Sequence, residues 1–494
     1  MMEEASRQYI DERIRKASEA FQFLKNTTVT ERAEFMIAVA DQIEVLGVEL
    51  LEITHQETSL PLARLIGEKA RTVGQWRSYA KAVAAGTYTE ARIDLAQPEK
   101  QKGDLRKYNV GIGPVVIFGA SNFPFAFSTA GGDTASAIGA GCPVIIKAHP
   151  AHPKTSQMMA DAITAVVSAF GWPEGIFSHI TGTSYETGTY LTRHPDIQAV
   201  AFTGSFQGGK ALFDIANRRE NPIPVFAEMG SINPVFAFQN LLETKAEILA
   251  KEYSTSLTLG AGQFCTNPGV FIALKGKPLD RFIKTLKEEI QNVAPAKMLH
   301  KGIFESFEKN RNIATQQTDV EIIASSEADD YQGSASVIKT NAQTFLNNPV
   351  LSEEVFGPFG ILVACETEEE ITKIAQQLKG QLTITIAATH EEVRDNTMLI
   401  NLLRDKCGRL LFNGMPTGVE VVYAMQHGGP FPSTTDSRFT SVGPDAVKRF
   451  VRPISFQNWP DEFLPEELKN DNPLQISRIV DGAVSSGSLK LQTI

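Results

Sequence analysis

Cys265 stands in Gly260-Ala261-Gly262-Gln263-Phe264-Cys265-Thr266-Asn267-Pro268-Gly269, a run of small and apolar residues, and Glu228 lies upstream in Phe226-Ala227-Glu228-Met229-Gly230. A thiolate is a strong nucleophile, and small neighbours let a substrate and backbone N–H groups approach it closely. With a carboxylate available as a base, the pair suits attack on a carbonyl carbon. A lone cysteine in an apolar run is otherwise a small packing residue, so the weight of this reading rests on its company.

That company sits at the ends of short apolar segments. Asn122 falls in Ser121-Asn122-Phe123-Pro124, Lys147 closes Val144-Ile145-Ile146-Lys147, and Thr203-Gly204-Ser205 follows Val200-Ala201-Phe202. Apolar spacing predicts strands over 115–119, 143–148, 176–181 and 197–202, alternating with helices over 128–141, 155–170, 185–192 and 206–217. Apolar strands alternating with helices indicate a doubly wound α/β fold, a parallel sheet covered on both faces. Ligands in such sheets bind beyond the carboxyl ends of the strands, where Asn122, Lys147 and Thr203-Gly204-Ser205 should share one cleft. The turn 202–210 opens a helix, so free N–H groups and the helix dipole favour a phosphate there. Its Gly204-x-x-x-x-Gly209 spacing is not G-x-G-x-x-G, and alone it is a common strand-to-helix turn.

The supporting elements come earlier. Three-to-four apolar spacing predicts helices over 6–25, 30–46 and 60–85, a supporting layer, and the charged and β-prone stretch 87–109 predicts a strand hairpin. With 494 residues, 42% hydrophobic and 21% charged, the chain has material for about three domains. A net charge of -10 argues against nucleic acid or an anionic membrane as partner, so an anionic ligand must be held by local donors. The four cysteines (Cys142, Cys265, Cys365, Cys407) form no C-x-x-C pair, and no His cluster has metal-ligand spacing, so neither disulfide nor metal is expected. The start Met1-Met2-Glu3-Glu4-Ala5-Ser6-Arg7 lacks a basic, apolar leader, and no stretch approaches the about 18 apolar residues of a membrane span, so a cytoplasmic protein is expected.

These motifs, in this order, resemble the aldehyde dehydrogenase superfamily over essentially the whole chain: Ser121-Asn122-Phe123-Pro124, Ile146-Lys147, Phe202-Thr203-Gly204-Ser205, Glu228-Met229-Gly230, Gly262-Gln263-Phe264-Cys265 and Glu353-Glu354-Val355-Phe356-Gly357-Pro358. Lys147-Ala148-His149-Pro150-Ala151-His152-Pro153, the stretches 224–236 and 413–421, His427-Gly428-Gly429-Pro430 and Thr435-Asp436-Ser437-Arg438 are similar to the α-ketoglutaric semialdehyde (2,5-dioxovalerate) dehydrogenases, a branch that also holds fatty aldehyde dehydrogenases.

The resemblance implies that Cys265 forms a thiohemiacetal and then a thioester, that the Asn122 amide and the Cys265 N–H meet the oxyanion, and that Glu228, its pKa raised by an apolar wall, activates water. It places NAD or NADP at Lys147, Gly204, Ser205, Glu354 and Phe356, with Gly209 in the phosphate turn and His149 as a further donor. Relatives using NAD place a Glu where this chain has Pro150, which favours NADP. Phe123, Phe127 and Phe264 are candidates for an apolar substrate tunnel, and Arg438 for a carboxylate anchor or an ion pair with Asp436. Asn122 as a turn former, Lys147 as a surface lysine and Glu353-Glu354 as a solvated pair stay open alternatives. The implied architecture is a cofactor domain (1–84 and 111–229), a catalytic α/β domain (230–430) and a small β oligomerisation element (85–110 and 450–494), assembling as a homodimer or homotetramer. A CoA-acylating enzyme, a reductase of acyl phosphates and a non-catalytic binding protein are the rival readings.

Overall fold

The computed structural model describes residues 3–329 and 331–489. Four helices open the chain: α1 (Arg7–Leu24), α2 (Val29–Glu44), α3 (Val48–Thr58) and α4 (Leu62–Ala84). Ser6 caps α1 by accepting from the Tyr9 N–H, and Thr28 and Glu31 form a reciprocal cap on α2. No apolar spacing announced α3, because two of its three buried positions, Leu50, Thr54 and Thr58, are threonines. The Thr54 hydroxyl donates to the Leu50 carbonyl at 2.6 Å and meets Thr155 Oγ1 at 3.0 Å, so hydroxyl contacts replace an apolar stripe.

The expected hairpin forms from β1 (Arg92–Asp94) and β2 (Leu105–Gly111). It belongs to a five-stranded sheet completed from the far end of the chain: Val451–Gln457 pairs with β2, and Arg478–Val480 with Ala483–Ser485 extends β1. Residues 490–494, part of the expected C-terminal element, lie outside the described residues.

Next come β3 (Val115–Phe118), α5 (Gly132–Gly139), β4 (Val144–Lys147), α6 (Pro153–Ala169), β5 (Phe177–Ile180), α7 (Tyr185–Arg193), β6 (Ala199–Thr203), α8 (Phe206–Asn217) and β7 (Val225–Glu228). The strands are parallel in the order β5-β4-β3-β6-β7, so the sheet reverses its winding between β3 and β6. Helix α5 starts four residues later than expected, because the Gly131 N–H turns back to the Ser128 carbonyl and the Gly132 N–H to that of Ala126.

A second sheet of seven strands begins with β8 (Val235–Ala237), α9 (Gln239–Thr258) and β9 (Val270–Leu274). Phe359–Cys365, Ser336–Asn341, Gln381–Ala387 and Cys407–Phe412 extend it in parallel, and Glu321–Ser325 closes one edge antiparallel. Phe359–Cys365 and Gln381–Ala387 are buried at every position, as a parallel sheet covered on both faces requires. From beyond this sheet the loop 427–441 returns to β7: the Met229 N–H donates to the Ser433 carbonyl at 2.8 Å and the Thr435 N–H to that of Ala227 at 3.1 Å. The two sheets therefore meet along Glu228.

Candidate active site

Strand register aligns the first half of the site. Phe118 pairs with Lys147 on one side and Phe202 on the other, and Thr203 pairs with Glu228. Four parallel strands therefore end together beside the switch point, where a crevice forms. Cys265 approaches this edge from the other sheet on a tight turn. Gly262, with φ +65°, lies so close to the Gly357-Pro358 backbone that an added Cβ would stand 2.3 Å from the Gly357 carbonyl carbon. Only glycine fits that contact, which locks the Cys265 turn against the Glu354-Phe356 segment.

Buried amides fix the rest of the turn. Asn233 Nδ2 donates to the carbonyls of Cys265 and Asn267, both at 2.9 Å, while Asn267 Nδ2 holds the carbonyls of Leu257 (2.9 Å) and Gly262 (2.8 Å). Gln381 Oε1 accepts from Ser231 Oγ and from the Ile232 N–H, both at 2.9 Å. The Cys265 N–H, by contrast, makes no hydrogen bond among the described residues. Asn122 faces this turn, with Nδ2 donating to the Gln263 carbonyl at 3.2 Å.

At the centre, His427 Nε2 lies 3.5 Å from Cys265 Sγ and 3.0 Å from Glu228 Oε1. The contact with Oε1 is off line for a hydrogen bond, so that oxygen has no aligned donor, whereas Oε2 accepts from Ser441 Oγ at 2.7 Å. Glu228 and His427 are almost wholly buried. Burial raises the pKa of the Glu228 carboxyl, but His427 in its charged form, with Ser441 and Cys265, outweighs it and holds the pKa below the ordinary carboxylate value. This corrects the expectation of a carboxylate raised by an apolar wall: the wall is present, and the histidine overrides it. Burial and the Glu228 charge push the Cys265 thiol well above its usual value.

His427 was legible only as part of a family motif, and its role comes from the loop that brings it to Glu228. The ligand atoms of Glu228, Cys265 and His427 lie within 4.8 Å of one another, a grouping that their distant sequence positions hid.

The remaining expected residues divide. Phe123 meets Phe127 at 5.3 Å and Phe264 at 5.5 Å between ring centroids, both edge to face, and Phe127 lies 6.2 Å from His427. The three phenylalanines therefore form one wall beside Cys265. Arg438 does not join them. Its side chain is 78% exposed and forks onto Asp436 at 2.9 and 2.5 Å, the ion-pair alternative. Cys142, Cys365 and Cys407 are held inert by burial, their thiols pushed up to about 11, 12 and 12.

A dinucleotide fits the crevice on several observations. Lys147 is half-buried at the end of β4, and its ammonium has no hydrogen bond or ion pair among the described residues. Ser205 caps α8, accepting from the Gly208 N–H at 3.2 Å, at an exposed helix start where N–H groups favour a phosphate. Gly204 donates its N–H to the Glu228 carbonyl at 3.0 Å, tying this turn to the end of β7. Gly209 is buried against Met229, where an added Cβ would stand 2.6 Å away, so it sets the approach of α8 to β7 and does not face the crevice. His149 Nδ1 accepts from the Ala151 N–H at 3.1 Å, leaving Nε2 as the ring's donor, and burial keeps the ring's pKa well below 6.5. Glu354 and Phe356 line a cleft with Ser231, Gly262 and Phe264. Burial pushes the Glu354 carboxyl up to about 7, the state of a hydrogen-bonding group waiting for a partner.

Comparison with known proteins agrees with this geometry. The aldehyde dehydrogenase family pattern matches residues 1–453. The α-ketoglutaric semialdehyde dehydrogenase 2 of Azospirillum brasilense is 47% identical over 471 residues, covering 94% of this chain and 90% of that protein. The α-ketoglutaric semialdehyde dehydrogenase of Acinetobacter baylyi is 43% identical over 491 residues, covering 98% and 93%. Among solved structures, the NAD-dependent aldehyde dehydrogenase from Sinorhizobium meliloti shares the fold at a TM-score of 0.77, with 23% identity and coverage of 92% of this chain and 87% of that one.

Proposed function

The chain belongs to the aldehyde dehydrogenase family, and from that premise we propose that it oxidises α-ketoglutaric semialdehyde to 2-oxoglutarate with NADP or NAD. The observation that carries the chemistry is the enclosed group of Cys265, His427 and Glu228, with Asn122 facing the same turn. The substrate reading draws its support from the two relatives of that name.

The residues act in sequence. His427 Nε2 takes the thiol proton as Cys265 Sγ bonds to the aldehyde carbon, and the imidazolium formed is paired with Glu228. The Asn122 amide and the unengaged Cys265 N–H receive the oxyanion. A bound nicotinamide dinucleotide supplies the hydride acceptor. Glu228 then takes a proton from the water that attacks the Cys265 thioester, releasing the carboxylic acid and the thiol. A carboxylate held ionised is ready for that step, and this argues against release to coenzyme A.

We infer NADP as the preferred cofactor, because Pro150 leaves no carboxylate to repel a 2'-phosphate while the free Lys147 ammonium is close by in sequence and strand. The phenylalanine wall favours one second reading, a neutral aliphatic aldehyde. The 1–84 and 111–229 segments serve as the cofactor domain and 230–430 as the catalytic domain. The five-stranded sheet, with Val484 78% exposed, is the element through which we expect a homodimer or homotetramer, a state that light scattering would measure. Chemistry that depends on a free thiol suits the reducing cytoplasm.

The test is nicotinamide absorbance with purified protein, the semialdehyde and hexanal, each with NADP and NAD. Reduction favouring the semialdehyde supports the proposal, reduction with hexanal alone moves the substrate to aliphatic aldehydes, and no reduction with either sinks it.

A further inference from the structure

Helix α4 presents Arg64, Glu68 and Arg71 at spacings of four and three, one face of the helix, toward the segment that carries Asn122 and the phenylalanines. The Arg64 guanidinium lies 5.0 Å from the Phe123 ring centre and 4.8 Å from that of Phe264, the neighbour of Cys265. Its Nη2 donates to the Asn122 carbonyl at 2.6 Å, while Nη1 is enclosed without a partner. Gly260 makes room for that nitrogen, since an added Cβ would stand 2.9 Å from it. Arg71 is the more exceptional group. Its guanidinium sits 5.2 Å from the Phe127 ring centre and makes no hydrogen bond or ion pair among the described residues, with Nη1 enclosed.

A half-buried guanidinium whose Nη1 is enclosed without an anion is costly, because desolvation is not offset by pairing. Glu68 does not relieve it. Glu68 Oε1 accepts from the Phe125 and Ala126 N–H groups at 2.9 and 3.1 Å, and no Glu68 oxygen lies within ion-pair distance of either arginine. Burial favours its neutral form, and even ionised it leaves two cations against one carboxylate. Other arginines are occupied: Arg409 donates to the carbonyls of Pro416 (2.5 Å) and Gly418 (3.0 Å), and Arg438 to Asp436. A guanidinium stacked on an aromatic face still offers its N–H edge to a carboxylate.

We infer that Arg71, assisted by Arg64 Nη1, anchors the carboxylate of a short acidic aldehyde whose other end reaches Cys265. The inference deepens the proposed substrate reading and rests on it for the identity of the aldehyde, while the anchor itself is defined by charge. Arg64 has a second task in holding the Asn122 carbonyl, so Arg71 gives the cleaner test.

The experiment measures kcat/KM for α-ketoglutaric semialdehyde and for pentanal in the unaltered enzyme, Arg71→Met and Arg71→Lys. Loss of a charged hydrogen-bonding anchor should lower the acidic-to-neutral ratio by roughly 10- to 150-fold in Arg71→Met, chiefly through KM, with partial rescue in Arg71→Lys. A second measurement needs no variant: glutarate should compete with pentanal in the unaltered enzyme, whereas pentanamide should not. An unchanged ratio, or glutarate that fails to compete while the semialdehyde is oxidised, overturns the anchor and leaves the proposed function standing. Competition by glutarate in an enzyme that oxidises pentanal but not the semialdehyde supports the anchor and overturns the named substrate.

Discussion

The two halves of the site are built in opposite ways. Around Cys265 and Glu228 the turn is tied down: Asn233, Asn267 and Gln381 hold backbone carbonyls and N–H groups, Ser441 donates to Glu228 Oε2, and His427 lies beside Oε1. Along the ends of β4 and β6 the site is more open, with the Lys147 ammonium unpaired among the described residues and the Ser205-capped start of α8 exposed. The contrast follows from what each half must do. Bond-making chemistry gains from groups fixed before the reaction begins, whereas a cradle for a large anionic ligand needs donors that keep their partners for the ligand.

The sharpest way to break this contrast is at the fixed half. Cys265→Ala should lower kcat by about 10⁶-fold, the scale for a nucleophile working as a unit with its base, with little change in cofactor affinity. Glu228→Gln should lower steady turnover by about 10²- to 10⁴-fold. If Glu228 serves mainly in water activation, that variant keeps a single rapid burst of reduced nicotinamide, and the acyl adduct on Cys265 is visible as added mass on the intact protein. A burst lost in proportion to the steady rate would instead place Glu228 in activating the thiol.

The same contrast explains what could be read from the sequence. The alternation of strands and helices from Val115 to Asn217 was legible because each apolar run is a buried parallel strand with its own period, and the ends of those runs marked Lys147 and Ser205. Cys265, Glu228 and Asn122 were legible through their glycine and proline neighbours. Asn233 was not, since an asparagine before proline reads as a turn, and only its left-handed backbone and three carbonyl partners reveal a clamp on the Cys265 carbonyl. Arg71 was not, because a charged residue on an amphipathic helix reads as solvent-facing until the loop folded over it is known. The sequence pointed to Arg438 for charge recognition, and the fold shows that guanidinium outside the phenylalanine wall and turned onto Asp436.

At the boundary between the halves stands Glu354, whose carboxyl is raised from 4.5 to about 7 by burial, with Glu228 adding to it against a hydrogen bond from Ser231. A raised carboxylate pKa means that ionisation opposes the folded, ligand-free state, so this contribution to stability is present below about 4.5 and is lost as pH rises through about 7. The ionised form is the better acceptor for ribose hydroxyls. Cofactor KM should therefore fall as pH rises through about 7, while Glu354→Gln flattens that profile and weakens cofactor binding by roughly 10- to 100-fold. An inflection that survives in Glu354→Gln assigns the titration to another group.

The smallest effect falls in the open half, at Lys147. Its ammonium has no hydrogen-bond or ion-pair partner among the described residues, so Lys147→Ala should leave the melting temperature nearly unchanged, unlike removal of a buried clamp such as Asn233. Burial lowers the Lys147 pKa from 10.5, with Glu4 opposing, and a bound phosphate would work in the other direction by favouring the charged ammonium. Removing that interaction should cost about fivefold in affinity for NADP and less for NAD, the scale of a partly exposed ion pair. The ratio of the two cofactor constants decides the point: equal losses would show that Lys147 serves the ribose common to both cofactors, and the NADP preference would then rest on Pro150 alone.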